Sequence, residues 1–554
     1  MSSNKEAWGS RVGLVLAMAG NAVGLGNFLR FPLQAVQNGG SAFMIPYITC
    51  FLLMGIPLLL VEWAIGRYGG NRGYHSTPFM MYSMDKRAVW KYFGVFGIFA
   101  NIGIAAYYCY IESWTMSYTF YSATGAFNGM SRDQVAQMFS SYVDLGTFTW
   151  FPYESIAFFA ACVLLNTYVL SRGLSGGVEK VAKVGMPLLI LFGILLAIKA
   201  VTIKAGSEGA VHDGTVGLNY LWTPNFTSIW NPKVWLAAAG QIFFTLSLGM
   251  GSIQCYASYV KPRDDIALNA MSAGWMNEFV EVVLGGAIII PIAVGYLGID
   301  GIEKLAKLGG FCIGFKTLPF HFAQWGPLLA AAAGVMWFGL LFFAGVTSSL
   351  AMGVPCMGFL QDEFNWSRRR SAWAFGLTVL LLGLPTVFFF EQGVFDEYDY
   401  WTGTVSLFIF ALGESILFAW FFGIEKGWKE INDGADIRIP AVMKYVIKYV
   451  TPVLLLGVFL GNLITPKGSD WVAAWGNLMA GKGWVLDNDC LLKKIYNAGL
   501  LEQIAATTDL VEKARLEKNM MLITGARVLL LALFLAICFL VYKASKKHAK
   551  AGVK

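Results

Sequence analysis

Residues 21–32 read NAVGLGNFLRFP and residues 241–252 read QIFFTLSLGMGS. In each, glycines sit beside amide or hydroxyl side chains inside an otherwise apolar run: Gly24 and Gly26 with Asn21 and Asn27, then Gly249 and Gly251 with Thr245 and Ser247. What these residue types offer is oxygen, as side-chain amides and hydroxyls and as main-chain carbonyls freed where glycine interrupts a helix. That is the donor set of a hard cation. The N-termini of the resumed half-helices favour an anion such as a carboxylate. Unwound backbone at membrane depth costs several kcal/mol per unsatisfied group unless it lines a site. Two such breaks therefore predict a binding site near the membrane midplane. Close packing through Gly20 and Gly24 explains the glycines but not Asn21, Asn27 and Arg30. A dinucleotide fingerprint fails, since Leu29 stands where a third glycine is required and no strand precedes.

The elements that must position these residues are membrane helices. The chain has 554 residues, of which 56% are hydrophobic, 15% aromatic and only 14% charged, with mean hydropathy +0.58. A soluble protein is nearer a quarter charged. Apolar runs of about 20 residues, each enough to cross a bilayer, are expected over 11–37, 41–70, 89–124, 154–171, 177–201, 233–258, 264–296, 326–361, 369–390, 397–423, 440–466 and 520–543. The fold class is thus all-α and polytopic, with about twelve transmembrane helices. Lys5, the apolar run from Val12 and Ala17–Met18–Ala19 imitate a secretory cleavage site. The run contains Gly13, follows Arg11 and continues past Ala19, so cleavage would halve a span.

Basic residues cluster in short connections, at Arg67, Arg72, Lys86, Arg87 and Lys91, at Arg368, Arg369 and Arg370, and at Lys543, Lys546, Lys547 and Lys550. These are expected to be cytoplasmic. The acidic connection with Glu391, Asp396, Glu397 and Asp399 and the nearly uncharged loop 125–153 face out, which puts both termini inside a cell (inner or plasma) membrane. The net charge of +7 follows from this loop placement and predicts no nucleic-acid partner. The eight cysteines lack metal spacing and read as small apolar residues; Cys312 and Cys490, both expected outside, are the pair open to bridging. Residues 467–519 form the one long hydrophilic insertion, with helical periodicity at Leu491, Leu492, Ile495, Leu500, Leu501 and Ile504, expected to cover the outer face.

The runs GNAVGLGNFLRFP, NGGSAFMIPY, PLLLVEWAIGRYGG, IESWT, GQIFFTLSLGMG, FFAGVTSS and DEYDYW, with Glu281 one turn after an NE pair, resemble the neurotransmitter:sodium symporters, and most closely their bacterial leucine-transporter branch. The resemblance runs to about residue 435. It implies a 5+5 inverted repeat, 1–201 and 202–435, with helices 1 and 6 unwound, and 436–554 as an eleventh helix, the insertion and a twelfth. It implies a sodium-coupled importer of neutral hydrophobic L-amino acids working by alternating access, as a monomer or loose dimer in the bilayer, and not an enzyme.

Residue by residue, the resemblance implies a first sodium on the carbonyl of Ala22 with Asn27, Thr245 and Asn277, completed by the substrate carboxylate. A second sodium would take carbonyls of Gly20, Val23 and Ala344 with the hydroxyls of Thr347 and Ser348. The bland alternative for that pair is bonding back to its own helix. Substrate would be lined by Asn21, Ala22, Leu25, Gly26, Ile104, Tyr108, Phe244, Thr245, Ser247, Met250, Ser348 and Met352. Met250, Met352 and Ile104 stand where the leucine transporter has Phe, Ile and Val, so the preferred side chain stays open. Glu281 would supply a permanent negative charge where chloride-dependent relatives bind an anion, so no chloride is expected, and it could carry a proton back. Arg30 and Asp399 match an outer gate. Lys5, Trp8, Ser258, Tyr259 and Asp362 match an inner one, in which Lys5 replaces the usual Arg with a point charge in place of a fork. A channel would need continuous polar rings. Glu62, Glu112 and Glu414 stand far apart in sequence without a catalytic motif. The alternative from another class is a sodium-dependent amino-acid sensor without flux.

Overall fold

The computed structural model describes residues 6–144, 153–227 and 229–550. Lys5 lies outside them. Among the described residues there are helices and no strand, only an isolated bridge between Pro466 and Leu486.

The chain opens with α1 (Arg11–Ala22) and α2 (Leu25–Gln37), which together span but are bent by 43° at their junction. Ser10 caps α1 by accepting from the Gly13 N–H at 3.0 Å, and the helix stops where Val23 turns extended before Gly24. There follow α3 (Ser41–Gly70), α4 (Ala88–Ala123), α5 (Glu154–Ser171) and α6 (Leu174–Val201). A second interrupted span is α7 (Pro232–Thr245) and α8 (Ser252–Ala257). Asn231 caps α7 through the Lys233 N–H at 3.0 Å, with Pro232 at the first helical position, where its missing N–H costs nothing. Next are α9 (Ile266–Ala306), α10 (Pro327–Phe364), α11 (Arg368–Phe388), α12 (Val394–Phe421), α13 (Val442–Leu463) and α14 (Leu510–Lys550).

Among the described residues ten continuous helices are long and apolar enough to cross a membrane, and the bent pair α1/α2 makes eleven. The expected sixth span falls on α7 and α8, which residues 246–251 divide into two pieces. This is an all-α polytopic membrane protein. The expected last span, 520–543, lies within a longer helix, since α14 starts at Leu510 and takes in the end of the supposed insertion. The insertion forms short helices at Trp471–Met479, Leu491–Lys494 and Ala498–Ala506. Leu491 is buried there, while Leu492, Ile495 and Leu501 remain exposed, so the apolar periodicity is only half used. All eight cysteines are free thiols, Cys312 and Cys490 included.

The four pieces α1, α2, α7 and α8 are the buried centre. Every residue from Ala17 to Leu29 is buried, and so is every residue from Thr245 to Ala257. A helix apolar all round belongs in a core or in lipid; these two also carry polar residues, which must be answered from within.

Candidate functional site

At the first break the helical hydrogen-bond ladder is replaced rung by rung. The Gly24 N–H donates to Asn27 Oδ1 at 2.8 Å, and the Leu25 N–H to the Tyr108 hydroxyl at 3.0 Å. The carbonyls left behind are answered from other helices. Asn21 O accepts from Ser247 Oγ at 2.9 Å, Gly20 O from Ser348 Oγ at 3.2 Å and Val23 O from the same hydroxyl at 3.5 Å. Thr347 bonds back to its own helix, to Phe343 O at 2.9 Å and Ala344 O at 3.2 Å. The two hydroxyls thus divide between the two readings, Ser348 reaching across and Thr347 turning back. A hydroxyl that donates keeps two lone pairs. Gly20 O and Val23 O thus gather on Ser348 and Ala344 O on the adjacent Thr347, five oxygens of the kind that suits a hard monovalent cation. Gly20 permits the approach, as a Cβ there would lie 2.8 Å from that of Thr347.

A second polar knot lies beside the first. Asn27 Nδ2 donates to Asn277 Oδ1 at 2.8 Å and to Glu281 at 3.2 Å; Asn277 Nδ2 donates to Thr245 Oγ1 at 3.1 Å and to Glu281 at 3.3 Å. The Thr245 hydroxyl also donates to Glu281. Gln241 Nε2 completes the carboxylate's shell at 2.5 Å. Four neutral donors from α2, α7 and α9 thus surround one fully buried carboxyl group, which has no cationic side chain within 4 Å among the described residues. A buried carboxylate so held is an electrostatic deficit that a bound cation would fill. The fit to sodium is good: Asn27, Thr245 and Asn277 present only oxygen as ligand atoms.

At the second break the backbone is left-handed at Ser247, Gly249 and Gly251, with φ of 56°, 70° and 79°. A carboxylate from α3 props it, as Gly249 N–H donates to Glu62 Oε1 at 2.7 Å, and Asn101 Nδ2 from α4 donates to Met250 O at 2.5 Å. Glu414 faces Glu62 and accepts from Gln254.

Between the breaks lies a tight cavity of about 30 Å³, lined by Ala22, Gly24, Gly26, Asn27, Ile104, Tyr108, Phe244, Thr245, Ser247, Met250, Ser348, Met352 and Leu407. That volume holds about two waters. Above it is a chamber of about 260 Å³, and Tyr108, Phe244 and Gly26 line both. The Phe244 ring occupies the space where a Gly26 Cβ would stand, 2.6 Å from its Cδ1. Tyr108 and Phe244 are therefore the partition. Leu25 lines the upper chamber, not the lower cavity, and Asn21 lies outside both linings. Asn21 accepts from Ser252 Oγ at 3.2 Å, while its buried Nδ2 has no partner among the described residues. Leu407 is a lining residue that sequence reasoning missed; it is an apolar residue in an apolar helix and carries no local signal.

Arg30 and Asp399 both face the upper chamber without pairing within 4 Å. The Arg30 guanidinium lies 4.4 Å from the Phe244 ring centroid, and Asp399 accepts from the Tyr107 hydroxyl at 2.7 Å. The chamber stays open between them. On the opposite side Trp8 Nε1 donates to Tyr256 O at 3.2 Å. Asp362 accepts from the His75 N–H at 2.7 Å, and the His75 ring sits 2.8 Å from Ser258 Oγ and stacks on Tyr259 at 4.2 Å. His75 thus gathers three of the expected inner-gate residues, and nothing in its local sequence marks it. The N-terminal segment is also tied by Glu6 to Arg368 and by Glu179, which accepts from the Gly9 N–H at 2.7 Å and Ser10 Oγ at 2.8 Å. Among the described residues these contacts draw that side together, while the chamber of about 260 Å³ lies on the other.

The model of the sodium:neurotransmitter symporter family matches residues 5–131 and 130–487. An uncharacterized sodium-dependent transporter of Methanocaldococcus jannaschii is 30% identical over 462 residues, covering 82% of this chain and 89% of that protein. The human sodium- and chloride-dependent GABA transporter 2 is 25% identical, over 86% of this chain and 84% of its own length. The crystal structure of MhsT in complex with L-phenylalanine superposes with a TM-score of 0.71 at 28% identity, covering 82% of this chain and 99% of that one. The chain belongs to the sodium:neurotransmitter symporter family and is a sodium-dependent multi-pass membrane transporter, not an enzyme.

Proposed function

We propose that this transporter is a symporter that imports neutral hydrophobic L-amino acids with two sodium ions by alternating access. The observation that carries this reading is the pair of oxygen clusters flanking one cavity at the first break. The first sodium would sit among Ala22 O, Asn27, Thr245 and Asn277, sharing the substrate carboxylate, and the second among Gly20, Val23, Ala344, Thr347 and Ser348. A shared carboxylate makes ion and substrate each incomplete without the other, which is coupling in structural terms. The Leu25 N–H and the Tyr108 hydroxyl are donors for that carboxylate; Ser247 and the carbonyls near Ala22 would take the ammonium. The remaining wall, Ile104, Phe244, Met250, Met352 and Leu407, is apolar, and a charged side chain has no partner there. MhsT binds L-phenylalanine, which supports a hydrophobic passenger. The cavity must widen to admit one, and two flexible methionines make a wall able to do so.

Glu281 takes the place of a bound anion, so transport is independent of chloride. In this reading 1–201 and 202–435 are the two inverted repeats, each opening on a broken helix, with both termini cytoplasmic. The basic loops support that orientation. One charge crossing 100 mV is worth about 2.3 kcal/mol. Two sodium ions with a zwitterion draw about 4.6 kcal/mol from voltage, roughly a thousandfold accumulation. If Glu281 returns a proton, that term halves. Uptake of L-leucine, L-methionine and L-phenylalanine into proteoliposomes, with an inward sodium gradient and chloride replaced by gluconate, tests the reading. Accumulation that collapses when potassium replaces sodium is expected. Sodium-dependent binding without accumulation would make the protein a sensor and overturn symport.

A further inference from the structure

Away from the transport path, α4, α10, α11 and α14 enclose an apolar cavity of about 250 Å³. Ile102, Phe375, Leu533 and Ile537 are among its walls. The few polar side chains that line it are turned to the backbone. Thr378 Oγ1 donates to Ala374 O at 2.8 Å, and Cys356 Sγ lies 3.8 Å from Met352 O. The lining therefore offers little to an amino acid, a sugar or an ion, and suits hydrocarbon. All four of its helices are membrane spans, and the outer faces of α11 and α14 are exposed at Leu377 and Leu381 and at Leu531 and Leu535, so the cavity lies at the level of lipid.

One end is basic. Trp366 closes the cavity there, and the Arg370 guanidinium stands 4.1 Å from the Trp366 ring centroid. On α14, Lys543 follows the lining residue Leu540 by one turn, its ammonium 4.5 Å from the Phe539 ring. Arg369, Arg370, Lys543 and Lys546 are exposed, and none has a carboxylate within 4 Å among the described residues. The acids nearby are occupied: Glu363 is buried against His548 at 2.8 Å, and Asp362 accepts from the His75 N–H. Lys547 is tied to Glu363 O at 2.9 Å. An apolar slot capped by unpaired cations at the membrane edge is complementary to an amphiphile of opposite charge.

We infer that this cavity holds one acyl chain of an anionic phospholipid, with its phosphate on Arg370 and Lys543. The chain supplies affinity through burial of hydrocarbon, and the two cations supply headgroup selection. The lipid bridges α11 to α14, the helix that lies beyond the residues matched by the family model.

The full chain, delipidated in detergent and offered equal phosphatidylglycerol and phosphatidylcholine, is examined by native mass spectrometry. The parent should retain phosphatidylglycerol about tenfold over phosphatidylcholine. Arg370→Gln with Lys543→Gln should abolish that preference while still holding either lipid, and Ala374→Phe, which fills the slot, should lose both. Unchanged circular dichroism and elution volume establish that each variant is folded. Equal retention of the two lipids by the parent, undiminished phosphatidylglycerol on Ala374→Phe, or displacement of the lipid by glycerol phosphate alone would each overturn the assignment.

Discussion

The two helix breaks face one another across the same cavity yet are held in different ways. At α1/α2 the freed groups meet neutral partners, the hydroxyls of Tyr108, Ser247 and Ser348 and the amide of Asn27. At α7/α8 three left-handed residues are propped by a carboxylate, Glu62, and by Asn101. Neutral hydroxyls give up little when they turn their lone pairs to a cation. A carboxylate fixed on a buried N–H holds its peptide where it is, because leaving that donor unmade costs about 1–3 kcal/mol. The first break is built to exchange partners and the second to keep its shape.

Glycine substitutions break the comparison most severely. Gly249 has φ +70°, and a Cβ there would drive into the Leu407 backbone. Gly24 has φ −126°, and its Cβ would meet the Tyr108 hydroxyl at 2.9 Å and Ser348 Oγ at 3.1 Å, both ends of side chains. Gly249→Ala should abolish uptake and lower the melting temperature, since left-handed strain alone costs about 1–2 kcal/mol. Gly24→Ala should fold normally and raise the sodium concentration needed for half-maximal binding. Equal thermal shifts in the two variants would show that the breaks are not held differently.

The next largest effect is expected at Ser348. Ser348→Ala removes the hydroxyl shared by Gly20 O and Val23 O, and should weaken apparent sodium affinity at least tenfold, about 1.4 kcal/mol. Thr347→Ala, whose hydroxyl turns back to its own helix, should cost less. Sodium titrations of substrate binding in the two variants rank them. A third test addresses Glu281. Replacing it with Ser removes the charge from the knot of Asn27, Gln241, Thr245 and Asn277, so transport should fall in gluconate and recover with added chloride. Loss that chloride does not restore would mean that the carboxylate acts by geometry, not charge.

Much of this was legible in the sequence because its determinants are local. A glycine pair flanked by amides or hydroxyls declares a helix break wherever it folds, and the apolar run length declares the span. What could not be read depends on helices meeting across the fold. Glu62 and Glu414 stand far apart in sequence and look like separate acids, yet they face one another beside Gly249. His75 sits in a turn whose composition gives no hint of Asp362, Ser258 and Tyr259. The pairing of Arg30 with Asp399 is readable as chemistry, but whether it is made depends on conformation. Here the upper chamber keeps them apart, with Tyr107 on the carboxylate and Phe244 under the guanidinium.

The smallest expected effect concerns what braces the open side. Arg527 on α14 grips Glu397 through Nε at 2.6 Å and a terminal nitrogen at 3.0 Å, and its other terminal nitrogen donates to Ile495 O in the insertion at 2.9 Å. Glu397 also accepts from Trp401 Nε1 at 2.8 Å. Two residues on is Asp399, so this fork ties the insertion and the last helix to the segment carrying the carboxylate of the upper chamber. Breaking a buried pair by removing one partner costs about 3–5 kcal/mol, and less where, as here, Arg527 is partly exposed. Arg527→Gln should therefore lower the melting temperature by a few degrees. Because neither break is touched, sodium affinity should stay within about twofold of the parent, while accessibility of a cysteine placed at Leu29 in the upper chamber should rise as the segment loosens. A change in sodium affinity as large as that of Ser348→Ala would mean that this brace and the first break act as one unit, and the distinction between a yielding break and a fixed one would have to extend to the whole half of the molecule around the upper chamber.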